Sequence, residues 1–318
     1  MRFEPAPFFE DMAGGSPGGG AVWAETSDGV RIRLGHWCPK GARGTVLLFP
    51  GRTEYIEKYS DTATTLSDLG FATLAVDWRG QGLADRPLED RRVGHVDVFQ
   101  DYQNDVAAVL EVARHLDLPR PWHLLAHSMG GAIGLRAVMD GLPVQSCAFT
   151  GPMWGIYMSP VMKPLGWAIS QTAEALGLGQ KMPPGSNVDG YVLVQPFEGN
   201  LLTTDPDMYK MMQDQLVAHP ELSLGGPSLI WLRESLLECR ELSQRPSPDL
   251  PCLTFLGDQE KIVDSDRIRE RMAIWPRGEL VMVPGAEHEV LMETPAIRAD
   301  AFDRLVTHFT ASWDGNNT

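Results

Sequence analysis

The chain is short of positive charge, of cysteine and of long apolar runs, and each shortage removes a class of answer. Its 27 Lys and Arg face 42 Asp and Glu, a formal net charge of −15 over 318 residues. A field of that sign opposes counterion-driven binding to nucleic acid or to an anionic bilayer, so no nucleic-acid partner is expected. Cys38, Cys147, Cys239 and Cys252 stand far apart, in no metal-ligand spacing and among apolar or strand-like neighbours. Reduced, buried thiols are the expectation, with no disulfide frame and no metal cluster. No stretch approaches the roughly 18 charge-free apolar residues of a membrane helix. The N-terminal "MRFEPAPFFEDMAGGSPGGG" carries acids where a secretory signal needs an apolar centre. These shortages together predict a cytoplasmic protein with no integral membrane segment, which leaves room only for transient contact with a lipid surface through a surface patch.

What is present is an ordinary globular mix, 43% hydrophobic and 22% charged, enough for one large core or a core plus a smaller domain. Residues 13–20 are almost all Gly, Ser and Pro, which contribute nothing to a core, so residues 1–20 read as a flexible N-terminal segment. These glycines follow no strand and open no helix, which argues against a phosphate cradle. From Ala21, "AVWAETSDGVRIRLGHW" alternates on both sides of Ser27-Asp28-Gly29, the pattern of a hairpin.

Short apolar runs then recur at 44–50, 71–77, 122–128, 145–151, 251–258 and 279–285, with helical periodicity between them, as from Phe99 to Leu116. Strand and helix in alternation predict an α/β fold with a mostly parallel central sheet flanked by helices, and near-continuous apolar strands imply cover on both faces. The hairpin would form an antiparallel edge. Between 151 and 245 the alternation stops. Helical segments, clearest at Pro206–Ala218 and Pro227–Leu242, follow one another around the loop "KMPPGSNVDG". The predicted organisation is a core of 21–150 and 246–318 with a helical cap inserted at 151–245. That insertion carries seven of the fourteen Met residues, with Trp154, Tyr157, Trp167, Tyr191 and Phe197. Such side chains suit an adaptable apolar surface as well as they suit plain packing.

Chemistry is concentrated at "LLAHSMGGA", 124–132, where a strand runs into a helix with Ser128 at the bend. A serine hydroxyl attacks only when a base removes its proton, and the oxyanion that forms needs fixed donors. The strand–turn–helix setting is that of a nucleophile elbow, normally G-x-S-x-G, with Ala126 here in place of the first glycine. The position asks for smallness more than for positive φ, so one extra methyl is tolerable. His288 in "VPGAEHEVLMETP" follows the last strand, at the carboxyl edge where open α/β sheets build their sites. His123 and His127 are four apart but on a strand, which excludes a helical metal pair. An acid is expected after the penultimate strand, where Asp258, Glu260 and Asp264 share one loop and spacing alone does not choose.

Several segments together resemble the lysophospholipase and monoacylglycerol-lipase branch of the α/β-hydrolases, over about Ala21 to Trp313. They are "FPGRTEYIEKY" for that family's H-G-x-x-E-x-x-x-x-Y, "DWRGQGLAD", "GHVDVFQDYQNDV", "AHSMGGA" and "GAEHEVLME". In the insertion, "NLLTTDPDMYKMMQDQLVAHPELSLGGPSLIWL" resembles the cap of bacterial lysophospholipases. The resemblance implies Ser128 as nucleophile, His288 as base and Glu260 as acid, with Asp258 the second choice because most relatives carry Asp. It implies the main-chain N–H groups of Met129 and Arg52 as oxyanion donors, although Pro50 replaces the usual His. It implies a lipid-like ester as substrate, acyl transfer through a serine ester, and no metal or organic cofactor. Arg79 and its glycines are expected to fix a tight turn. Arg52 and Glu54 are expected to pair across the mouth, as an ordinary salt bridge in the favoured reading or to position a polar head group in the alternative. Hydrolysis of small esters, or of peptides from the amino end, is the alternative chemistry; ligand binding without turnover is the third reading.

Overall fold

The computed structural model describes residues 3–12, 18–158 and 176–311. Nine strands make one sheet: β1 Glu4–Pro5, β2 Gly19–Glu25, β3 Arg31–Trp37, β4 Thr45–Phe49, β5 Ala72–Asp77, β6 Trp122–His127, β7 Ser146–Thr150, β8 Cys252–Gly257 and β9 Gly278–Val283. Their spatial order is β1-β2-β3-β5-β4-β6-β7-β8-β9. From β5 to β9 every pairing is parallel, while β1, β2 and β3 join antiparallel at one edge. The hairpin and the six core strands lie within a few residues of their expected places.

Every residue of β4, β5, β6, β7 and β8 is buried. Alternation along β4 shows why. Val46 and Leu48 join a cluster with Ala63, Leu66, Leu305 and Phe309, whereas Leu47 and Phe49 join one with Val109, Val112, Ile133 and Leu135. Side chains two apart share a face. So α1 (Ser60–Asp68) and the last helix, Pro295–Ala311, cover one side of the sheet. Helices α2 (Tyr102–His115) and α3 (Ser128–Met139) cover the other.

Between β7 and β8 come helices α4 (Tyr191–Val194), α5 (Pro206–Ala218) and α6 (Leu229–Gln244). Asp205 caps α5, accepting from the N–H groups of Asp207 and Met208 with Pro206 at the first helical position, and Ser228 caps α6 through Trp231 N–H. The chain then returns through β8, α7 (Ser265–Ala273), β9 and α8 (Pro295–Ala311).

Two expectations need correction. The first twelve residues are not a free lead-in where they are described. Glu4–Pro5 pair with Val22 and Trp23, Pro7 O accepts from Arg33 Nη1 at 2.9 Å, and Phe9 stacks on His219. Aromatic side chains at Phe8 and Phe9 supply the apolar area that the glycine run lacks; residues 13–17 lie outside the described residues. Cys147, Cys239 and Cys252 are buried, but Cys38 is exposed, because it lies one residue past the end of β3.

Candidate active site

Ser128 lies where β6 passes into α3, with φ +48, the left-handed region that side chains rarely occupy. The close approach that holds it there is written in glycines. A Cβ at Gly130 would fall 2.1 Å from Phe49 O and 2.4 Å from Pro50 O. Ala126 fits for a related reason: a Cβ at Gly134, opposite on α3, would meet the Ala126 methyl at 3.2 Å. The space that the helix leaves by having no side chain at 134 is what the methyl at 126 fills.

His288 is buried in the loop after β9, and its Nδ1 donates to Glu260 Oε2 over 2.6 Å. The other carboxylate oxygen of Glu260 accepts from the N–H groups of Ile262 (2.6 Å) and Val263 (3.1 Å). This double anchoring orients the longer side chain, and it separates the three acids of the loop. Asp258 is exposed and accepts from Gly285 N–H at 2.8 Å, while Asp264 caps α7. Burial works against charge on both partners, and their mutual attraction outweighs it: His288 titrates above its ordinary value and Glu260 below. Gly151, with φ +46, makes room for the pair. A Cβ there would come 3.0 Å from His288 Nδ1 and 3.2 Å from Glu260 Oε2.

Ser128 and His288 line one cavity of about 410 Å³, walled mainly by apolar residues such as Met153, Val192, Met212, Leu216, Trp231 and Leu232. Among the described residues no hydrogen bond joins the serine hydroxyl to the imidazole. The aromatic and Met surface expected from the insertion is only partly here. Tyr191 lines the cavity, but Trp154 stacks on Trp275, Tyr157 is exposed and Phe197 packs on Tyr209; Trp167 lies outside the described residues.

The loop after β4 brings Arg52 to the same cavity. Gln81, from the "DWRGQG" segment, donates to Gly51 O at 2.8 Å and to Glu54 O at 3.2 Å. Glu54 accepts from Gly51 N–H and from the Tyr59 hydroxyl. These bonds hold the turn on which Arg52 N–H sits, and Met129 N–H lies in the first turn of α3. Neither amide is bonded among the described residues. Pro50 keeps its place by accepting from Trp78 Nε1 at 2.9 Å, so replacement of the usual His leaves the turn supported. Arg79 bridges Asp28 and Asp105, as a structural turn requires.

The Arg52–Glu54 salt bridge is not formed among the described residues. Glu54 pairs instead with Lys58 at 2.7 Å, and Lys58 also reaches Glu289 at 2.5 Å. Burial favours a neutral Glu54, and the ammonium of Lys58 overrides it, holding the carboxyl well below the usual range. Glu54, His127 and Glu289 are spaced to surround one metal ion, but Lys58 already supplies a positive charge to both carboxylates. Burial keeps His127 neutral, and its Nδ1 donates to Thr150 O at 2.9 Å. Sequence reading missed Gln81, Lys58, Gly151 and Glu289. Only Gln81, inside the D-x-R-G-x-G stretch, and Glu289, next to His288, carried any signal.

The insertion is fastened to the loop that bears the imidazole. Leu202 O accepts from Glu289 N–H at 2.8 Å, and Thr203 Oγ1 donates to Met292 O at 2.7 Å. Across the cavity, Gly226 O accepts from Gly94 N–H at 3.0 Å, and Gly94 O accepts from Ser228 N–H at 2.8 Å.

Comparison with known proteins places the chain among relatives. The profile of the family described as serine aminopeptidase, S33, matches residues 40–295. Lysophospholipase L2 of Escherichia coli is 31% identical over 302 residues, covering 89% of this chain and 85% of that protein. The probable lysophospholipase L2 of Haemophilus influenzae is 29% identical, covering 84% and 83%. Among solved structures, a soluble variant of monoglyceride lipase from Saccharomyces cerevisiae shares the fold with a TM-score of 0.72 at 20% identity, covering 91% of this chain and 94% of that one. A thermostable carboxyl esterase from Bacillus coagulans does so with 0.73 at 16%, covering 92% and 98%. The chain therefore belongs to the serine aminopeptidase, S33, family of α/β-hydrolases, with the lysophospholipase L2 proteins among its relatives.

Proposed function

We propose that the chain hydrolyses carboxylic esters of single-chain lipids, lysophospholipid or monoacylglycerol, by acyl transfer through Ser128. The observation that carries this reading is a strained serine and a carboxylate-anchored imidazole on the wall of one apolar cavity. In the first half-reaction His288 Nε2 takes the hydroxyl proton and Ser128 Oγ bonds to the ester carbonyl carbon. The N–H groups of Met129 and Arg52 receive the oxyanion. His288 returns the proton to the departing alcohol, the ester C–O bond breaks, and an acyl-serine remains. Water, deprotonated by the same imidazole, then releases the fatty acid. Glu260 holds the Nδ1–H tautomer and balances the imidazolium charge. Serine–imidazole contacts are often long in unliganded sites and tighten around substrate, so the open contact here is compatible with that role.

The helical insertion acts as a cap in this reading, roofing the acyl chain with residues from α4, α5 and α6. Removal of an N-terminal amino acid would instead require a carboxylate free to face the substrate's ammonium. Both carboxylates that line the cavity, Glu54 and Glu289, are engaged by Lys58. A fluorophosphonate probe tests the nucleophile directly. One label per chain at Ser128, together with repeated turnover of a lysophospholipid, is expected. Labelling elsewhere would refute the assignment, and labelling without turnover would favour a binding protein on this fold.

A further inference from the structure

The cavity wall carries two cations in opposite circumstances. Lys58 is held between two carboxylates. Arg52 has none: its Nη2 donates to Gly225 O, its Cζ lies 5.2 Å from the centre of the Trp231 ring, and its Nε is buried with no partner. No carboxylate among the described residues pairs with it. Gly94 leaves it room, since a Cβ there would stand 2.6 Å from Nη2. A guanidinium offers five N–H donors, and a charge taken from water without a counter-ion is costly. Burial lowers the Arg52 pKa to about 10 even though Tyr102 pulls the other way. An arrangement of this kind is relieved when the ligand brings the missing negative charge.

The residue's position says which ligand. Its own main-chain N–H is the proposed receiver of the ester oxyanion, so the guanidinium stands one side chain away from the scissile carbonyl. In a lysophospholipid the phosphodiester is joined to the ester through a three-carbon glycerol; in a monoacylglycerol the same place holds a neutral hydroxyl. We infer that Arg52 is the headgroup receptor of the cavity, binding the substrate's phosphodiester in the cleft between the loop after β4 and the start of α6. This deepens the proposed function and rests on it. The planar fork of a guanidinium matches two phosphate oxygens, which an ammonium cannot copy. The Trp231 face and the Gly225 carbonyl hold that fork in orientation.

The test uses the whole protein with two substrates of the same acyl chain, palmitoyl lysophosphatidylcholine and monopalmitoylglycerol, in mixed micelles. Because residue 52 also supplies a main-chain donor, Arg52→Gln can slow both reactions, and the readout is the ratio of their kcat/KM values. That ratio is expected to fall about tenfold or more, mainly through KM of the lysophospholipid, with Arg52→Lys recovering part of it. A ratio unchanged within about twofold would overturn the inference and leave Arg52 as a strut between core and insertion. Wild-type protein that hydrolyses neither substrate would sink the proposed function instead. If Arg52→Gln has too little activity to measure, binding of a non-hydrolysable ether lysophosphatidylcholine against the matching ether glycerol gives the same ratio on Ser128→Ala protein. Inorganic phosphate separates headgroup from free anion: if it binds as tightly as the ether lysolipid, the site is a free-phosphate site and the inference fails.

Discussion

The sheet edge and the helical insertion enclose the same cavity under different rules. At the sheet edge, contacts are set by backbone: Gly130 and Gly151 each face atoms that a single methyl would meet at or below 3.0 Å. In the insertion, contacts are set by side chains such as Met212, Leu216 and Leu232, which can change size without moving a strand. On the proposed function, reaction chemistry would belong to the region with no slack, and discrimination among acyl chains to the region that has it.

The largest effect should come from Ser128→Ala, which is expected to lower kcat on a p-nitrophenyl ester by about 10⁴ to 10⁶ with an unchanged circular dichroism spectrum. Near-native turnover would take the chemistry away from the sheet edge altogether. Glu260→Gln should lower kcat by about 10⁴, whereas Asp258→Asn should stay within about threefold. The reverse order would move the acid to Asp258. Gly151→Ala tests the lack of slack, because its Cβ would press on both His288 and Glu260. A loss of about 10- to 100-fold in kcat with KM little changed is expected, as for a misplaced base. Leu232→Ala probes the other region: kcat/KM for a long-chain ester should drop about fourfold for each substrate methylene that the shortened side chain leaves uncovered, while a short-chain ester is unaffected. An equal drop on both would mean that the insertion shapes the chemistry too.

The smallest effect is a shift in the pH profile. Burial opposes charge on His288, yet Glu260 raises its pKa above the ordinary histidine value of about 6.5, and the reaction needs the neutral ring. Activity should therefore fall, as pH is lowered, at a pH higher than an isolated histidine would set. In the residual activity of Glu260→Gln the limb should move to lower pH, since burial is then opposed only by the more weakly acting Glu289 and Glu54. The linkage runs the opposite way for folding. A raised histidine pKa stabilises the native state fully below about pH 6.5, and that contribution is lost as pH rises through the folded value. A profile that does not move in Glu260→Gln would separate His288 from its carboxylate.

Much of this was legible in the sequence because the sheet is built from local signals. Apolar runs bounded by turns mark β4 to β8, and the strand–Ser–Gly–Gly–helix pattern marks the elbow. The choice among Asp258, Glu260 and Asp264 was not legible from spacing, since it depends on which carboxylate the backbone of Ile262 and Val263 orients toward His288. The fate of Glu54 was hidden for a similar reason: the ammonium it shares is completed by Glu289, 231 residues from Lys58. Pairing by nearness in the chain suggested Arg52, and the fold chose otherwise. The seat of Phe8 and Phe9 was masked by the glycine run that follows them.

The stitches between Leu202 and Glu289, and between Thr203 and Met292, bind the roof to the platform of the base. Shelter and position are thus tied together: lifting residues 201–205 would break the bonds that also hold the loop bearing the imidazole. In the proposed mechanism a half-open enzyme would be an idle one, its imidazole displaced from the serine it is to serve.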